Sequence, residues 1–303
     1  MKNLKTKILA FGLLALTFGF FGTTHVFAKE KPFYTNMNGV KLTETQYNNL
    51  AKAFSNDTIA TLTQNMANIF KDDETLASRG YSKYVRVDTL TDFLGNVIST
   101  TETEVTEKEA LDYIANQNDL IIPFGYPVHQ TAMKRLTINV TTGISYTYKT
   151  ITLINEWLSM PVTRSNDVIA IRPDVPSFTI NIGNISGYLK HNGTIVQSYT
   201  GSHSNVRNIN NQGVGISMPL PTGGSTMSNG MSLLLISGAD PFRAYGSFQH
   251  AQSAVTLADS KVYNINSNGL GGVLDFTNST TRAKYDAMQG VWCEWSLGTL
   301  SCN

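Results

Sequence analysis

The sequence predicts an α+β chain: a small N-terminal domain with elements in the order ααββα, followed by a mainly antiparallel β-sandwich or open barrel. Three observations predict it. Residues 29–120 carry 9 Lys plus Arg against 14 Asp plus Glu, whereas residues 121–303 carry 11 against 8. The second part is dense in Thr, Ser, Asn, Gly and aromatics, which suits short strands joined by turns. Helix-capping signals gather in the first part and alternating apolar patterns in the second. Pro123 and Pro127 bracket the change, so the expected organisation is 1–28, 29–120 and 121–303.

Residues 1–28 read as a secretory signal peptide. Lys2, Lys5 and Lys7 precede an uncharged apolar run, and the stretch Val26-Phe27-Ala28 has Val26 and Ala28 at the positions a signal peptidase reads, for a cut between Ala28 and Lys29. The run covers 14 residues, short of the roughly 20 that span a bilayer as a helix, so a secreted chain without a transmembrane segment is expected. The short lysine-based signal and the abundance of Asn and Lys point to a bacterial source. Neither a lipobox cysteine at the cleavage site nor an apolar C-terminal tail indicates an anchor.

The first helix begins with a capping box. Thr43 caps it, Gln46 reaches back, and Leu42 and Tyr47 occupy the positions of a hydrophobic staple. Ser55, Asn56 and Asp57 end that helix and cap a second, whose stripe of Ile59, Leu62, Met66, Ile69 and Phe70 predicts a helical hairpin. Strands are expected over residues 84–88 and 97–105, with Leu94, Gly95 and Asn96 as the turn. Thr106 and Glu109 then cap a third helix, with Leu111, Ile114 and Ala115 on its apolar side.

In the second part, Leu136, Ile138 and Val140 alternate with polar residues, as do Ile144, Tyr146 and Tyr148. A loop of Thr141, Thr142 and Gly143 would pair Val140 with Ile144, Ile138 with Tyr146 and Leu136 with Tyr148. Residues 178–186 echo 136–145. Asn192-Gly193 signals a two-residue hairpin turn. Further strands are predicted over 232–237, 254–257, 261–265 and 272–276, and a short helix over 282–289, stopped by Gly290. Lys134-Arg135 reads as a solvated strand end. Cys293 and Cys302 read as a disulfide that pins the C-terminus, because exported chains meet oxidising conditions.

Chemistry is weakly marked. There is no zinc-protease motif, no Gly-x-Ser-x-Gly elbow and no phosphate-cradling glycine loop, and Gly213-Val214-Gly215 lacks the third glycine of a dinucleotide fingerprint. No cofactor, metal or catalytic residue is assigned. His129, His191 and His203 read as surface or turn residues, and His250 with Asp240 and Ser237 is the least unfavourable catalytic group. No basic tract tracks a phosphate backbone, which disfavours nucleic acid as a partner. The Gly/Ser/Asn-rich residues 201–230 are expected to form a long loop suited to binding, with Phe242, Tyr245 and Phe248 as aromatic contacts or core. The reading that asks for no missing chemistry is a secreted module that binds an extracellular glycan or protein. A secreted hydrolase with an unmarked site is the alternative. A pore-forming toxin ranks third, because arms of about five residues fall short of the about 9 to 11 that cross a membrane as a strand.

Overall fold

The computed structural model describes residues 32–116, 128–145, 147–174, 180–209, 212–236, 241–266, 273–286, 289–296 and 299–302. Ala28 and Lys29, with the whole expected signal peptide, lie outside the described residues. The first part opens with two short paired strands, β1 (Tyr34–Thr35) and β2 (Lys41–Leu42). The box at Thr43 is built: its hydroxyl accepts the Gln46 N–H and the Gln46 side chain accepts the Thr43 N–H, opening α1 (Glu44–Ala51). Ser55 caps α2 (Asn56–Thr61), which stops early. Leu62 turns to ψ 140 and Thr63 caps a separate helix, α3 (Gln64–Phe70), by accepting the Met66 N–H. The expected helical hairpin is therefore three short helices, because a second capping residue interrupts the apolar stripe.

Two strands follow, β3 (Ala77–Thr91) and β4 (Val97–Val105), joined by a turn in which Gly95 takes φ 81. Then comes α4 (Glu107–Asn116), opened by reciprocal bonds between Thr106 and Glu109. Its buried residue is Ala110; Leu111 and Ala115, expected on the apolar side, are exposed. The ααββα order thus gives way to β1-β2-α1-α2-α3-β3-β4-α4.

The remaining strands are β5 (Val128–Thr142), β6 (Tyr148–Ser159), β7 (Asn166–Asp174), β8 (Ile185–His191), β9 (Thr194–Thr200), β10 (Val206–Ile209), β11 (Gly213–Pro219), β12 (Met227–Ile236), β13 (Phe242–His250), β14 (Tyr263–Ile265), β15 (Leu274–Phe276), β16 (Gln289–Ser296) and β17 (Thr299–Cys302). Two short helices interrupt them, α5 (Leu257–Ser260) and α6 (Ser279–Arg282). One antiparallel sheet runs β4-β3-β5-β6-β12-β8-β9 and another β10-β11-β7-β13-β16-β17. Inward residues of both, among them Leu136, Ile138, Leu153, Ile169, Val214 and Phe248, form one core, so the architecture is a β-sandwich.

Strands from both sides of residue 120 share the first sheet. β3 pairs with β5 from Ala77↔Thr142 to Thr91↔Val128, and residues 32–303 form a single compact unit. The change in composition therefore does not coincide with a break between two packed bodies. It reflects what covers the sheet. On its outer face α1–α3 pack through Leu50, Ile59, Leu62, Met66 and Phe70 against Leu234, and α4 through Ala110 against Tyr84 and Met133. The second sheet's outer face is covered by β14, β15 and neighbouring segments, through Tyr263, Phe276 and Tyr285.

Several expected elements differ. Val140 pairs with Ile151 rather than Ile144, Ile138 with Leu153 and Leu136 with Asn155. β5 runs on to Thr142 and β6 begins at Tyr148; between them Asp73 accepts the Ile144 N–H at 2.8 Å, and Ile144 is exposed, while Tyr146 lies outside the described residues. The arms hold 15 and 12 residues, so arm length does not argue against a membrane-crossing hairpin. Both strands are instead interior to the sheet, between β3 and β12. The echo over 178–186 is not repeated as structure: Phe178 and Thr179 lie outside the described residues, and Ile182–Asn184 is a 3-10 turn.

Asn192 and Gly193 take φ 49 and 78, the left-handed pair of a tight hairpin turn. Residues 201–230 do not form one long loop but carry β10, β11 and the start of β12. Gly215 explains the glycine there: a Cβ would stand 2.3 Å from the Tyr263 hydroxyl oxygen. Residues 254–256 are irregular and lead into α5, and the expected helix over 282–289 is replaced by α6 ending at Arg282 and by β16 beginning at Gln289.

Candidate functional site

Alternation along β5 places Ala132, Lys134 and Leu136 on one face, the face turned towards the second sheet. Lys134 is consequently no solvated strand end. Its side chain is 1% exposed, and its ammonium donates to Glu102 Oε1 on β4 and, at 2.8 Å, to Asp286 Oδ2 just before β16. The rings of Trp157 and Phe248 flank it, with centroids 5.5 and 5.2 Å from Nζ. Arg135 points the other way and pairs with Glu156.

Each carboxyl is held on its second oxygen. The His250 backbone N–H donates to Asp286 Oδ1 at 2.7 Å, and the Gln289 side chain donates to Glu102 Oε2. Burial pushes the Asp286 carboxyl well above its ordinary range; Lys134 pulls it back and Glu102 raises it again. Burial also draws the Lys134 ammonium down, but attraction by Asp286 and Glu102 outweighs it and leaves the pKa raised. One ammonium between two carboxyls is electrically balanced when a single proton stays on the acid pair.

A second buried group adjoins the first. His250 Nδ1 lies 2.7 Å from Asp167 Oδ1, and Asp167 Oδ2 accepts from Asn229 at 3.0 Å and from the Trp157 indole at 3.4 Å. His250 thus turns to Asp167, while Ser237 and Asp240, its expected partners, lie outside the described residues. Among the described residues the other histidines stand apart. His129 is exposed 3.8 Å from Asp88, His191 Nε2 meets the Gly223 carbonyl at 3.1 Å, and His203 Nδ1 accepts the Asn205 N–H. A cleft of about 10 Å³, room for no more than about one water, reaches Asp286 and His250 past Thr100, Thr163 and Gln252.

At the tip of the β3–β4 hairpin the surface has a different character. Asp92 accepts N–H groups from Leu94 and Asn96 and the Asn96 side chain, which also hold its carboxyl below the usual range. On this braced turn Phe93 and Leu94 are each 70% exposed, with Ile98 exposed beside them. Phe242, Tyr245 and Phe248, offered by the sequence as contacts or core, are all core. Cys293 and Cys302 face each other across β16 and β17 as a disulfide with Cα atoms 4.0 Å apart.

Sequence reasoning passed over Lys134, Glu102, Asp167 and Asp286. The available signal was Lys134's place at an inward position between Ala132 and Leu136, which a strict reading of alternation would have marked as buried.

No family model matches the chain, and no curated protein does. Among solved structures it is similar to the collagen-binding domain of a Staphylococcus aureus adhesin, at 9% identity and TM-score 0.24 over 34% of this chain and 75% of that one. It is similar also to the collagen-binding domain of Erysipelothrix rhusiopathiae surface protein RspB, at 8% identity and TM-score 0.25, over 40% of this chain and 56% of that one. A third is the KRT10-binding region domain of the pneumococcal serine-rich repeat protein PsrP, at 11% identity and TM-score 0.24, covering 57% and 88%.

Proposed function

We propose that the chain is an extracellular binding module of bacterial origin, exported by the signal peptide of residues 1–28 and engaging a protein or glycan through the tip of the β3–β4 hairpin. The observation that supports this is the braced turn at Asp92, which presents Phe93 and Leu94 to solvent. A rigid turn carrying large apolar side chains offers contact area at little ordering cost, the property of an interface anchor. The groups capable of acid–base chemistry around Lys134 sit behind a water-sized cleft, which favours binding over turnover of an external substrate.

The test uses the full chain against immobilised extracellular-matrix proteins and cell-wall glycans, with Phe93→Ser/Leu94→Ser beside it. Binding that weakens about tenfold or more in the double variant, with the melting temperature unchanged, is the expected result. No binding to any member of the panel, or binding indifferent to the substitution, would overturn it. Turnover of ester, peptide or glycoside substrates would favour the hydrolase reading instead, and dye release from liposomes the pore.

A further inference from the structure

A buried lysine between two carboxyls is unusual even as an ion pair, because desolvating three ionisable groups is costly unless something further is gained. Four features of this one go beyond a salt bridge. The amine and the Asp286 carboxyl are in contact at 2.8 Å. Asp286 Oδ1, the oxygen remote from the amine, accepts a fixed backbone N–H from His250, the arrangement that stabilises charge developing on a carbonyl oxygen. Glu102 touches Lys134 through one oxygen, is held by Gln289 through the other, and also hydrogen-bonds Asp286. Trp157 and Phe248 line the site, keeping it poor in water.

We infer that Lys134 and Asp286 condense to an intramolecular isopeptide bond, with Glu102 carrying the protons. Glu102 takes a proton from the Lys134 ammonium, and the free amine attacks Cγ of the protonated Asp286 carboxyl. The Nζ–Cγ bond forms while Oδ1, bearing the developing negative charge, is held by the His250 N–H. Glu102 returns its proton to Oδ2, which leaves as water as the Cγ–Oδ2 bond breaks, and then takes up the remaining surplus proton from nitrogen. The ammonium, carboxylate and carboxylic acid thus become an amide, a carboxylic acid and one water, with no oxidant, reductant or co-reactant. Burial favours the starting protonation, since it pushes the Asp286 carboxyl well above its ordinary range. Amide formation, unfavourable in bulk water, is driven here by proximity: effective molarities of about 10⁵ M or more exceed the concentration of water itself. The departing water is matched by the water-sized cleft that borders Asp286.

The bond would join β5 in one sheet to the segment entering β16 in the other, across a separation of 152 residues. The test is tryptic digestion and mass spectrometry of the full, natively folded chain, denatured and reduced before digestion. The expected result is a branched peptide joining the Lys134 and Asp286 segments, one water lighter than their sum, with no cut after Lys134. Separate peptides at full mass, with cutting after Lys134, would overturn the inference without recourse to any variant. Glu102→Gln is expected to abolish the branched peptide, and its persistence would overturn the role given to Glu102. Asp286→Asn should yield the same branched peptide with ammonia leaving in place of water, and a different product mass there would exclude this linkage.

Discussion

The helical cluster on the outer face of the seven-stranded sheet is built round apolar side chains, with uncharged Asn36 and Asn49 bonded to backbone carbonyls beside them, whereas the centre of the sandwich holds a lysine, a histidine and three carboxyl groups. Leu50, Ile59, Leu62, Met66 and Phe70 fill the first region and are stabilised by burial alone, at about 25 cal/mol per Å² of apolar surface. In the second, each polar group depends on another. Asp167, fully buried, accepts from His250, Asn229 and Trp157, so one side chain satisfies three. An apolar cluster degrades gradually as atoms are removed, while a closed polar network fails when one member goes.

Substitutions sharpen that contrast. Asp167→Ala leaves buried donors on His250, Asn229 and Trp157 without their acceptor and should cost about 3–5 kcal/mol, read as a shifted denaturation midpoint. A loss below about 1 kcal/mol would show the network to be dispensable. Leu62→Ala in the helical cluster should cost about 2–5 kcal/mol, and the loss should not vary with pH between about 5 and about 8, because every buried member of the cluster is apolar.

The smallest effect concerns the tie between the segment after α3 and the segment after β5, where Asp73 accepts the Ile144 N–H. Burial alone would raise the Asp73 carboxyl, but hydrogen bonds from Thr75 and the Ile144 N–H outweigh it and hold its pKa below the ordinary 3.8. A depressed folded-state value means the tie is complete above that pH and is lost as pH falls through the folded-state value. Hydrogen exchange at the Ile144 amide should therefore quicken, relative to intrinsic rates, as the pH falls below 3.8. The Gln46 amide, held by the non-titrating Thr43 hydroxyl, should not follow it. Parallel behaviour of the two amides would mean that the whole cap loosens rather than this contact.

What the sequence disclosed follows the same division. Thr43 with Gln46, Ser55, Thr106 with Glu109, and Asn192-Gly193 were legible because each works through neighbours a few residues away. The β5–β6 register was misread because Ile144, expected to pair with Val140, instead donates its N–H to Asp73, a residue far along the chain, and Val140 pairs with Ile151. Residues 213–219 looked like loop because the stretch 201–230 is rich in Gly, Ser and Asn, when Gly215 makes room for the Tyr263 ring. Lys134 looked solvated because charge was weighed ahead of position. Its partners come from β4 and the approach to β16, which only the finished sandwich brings together.

The order of strands in the seven-stranded sheet bears on when this protein can fold at all. β12, residues 227–236, is inserted between β6 and β8, which precede it in the chain. A growing chain that has not yet reached it holds two finished but unmated strand borders, the kind that recruit other chains. Assembly is therefore governed by a late arrival, and shortened products ending before Met227 should aggregate rather than form a smaller version of the fold.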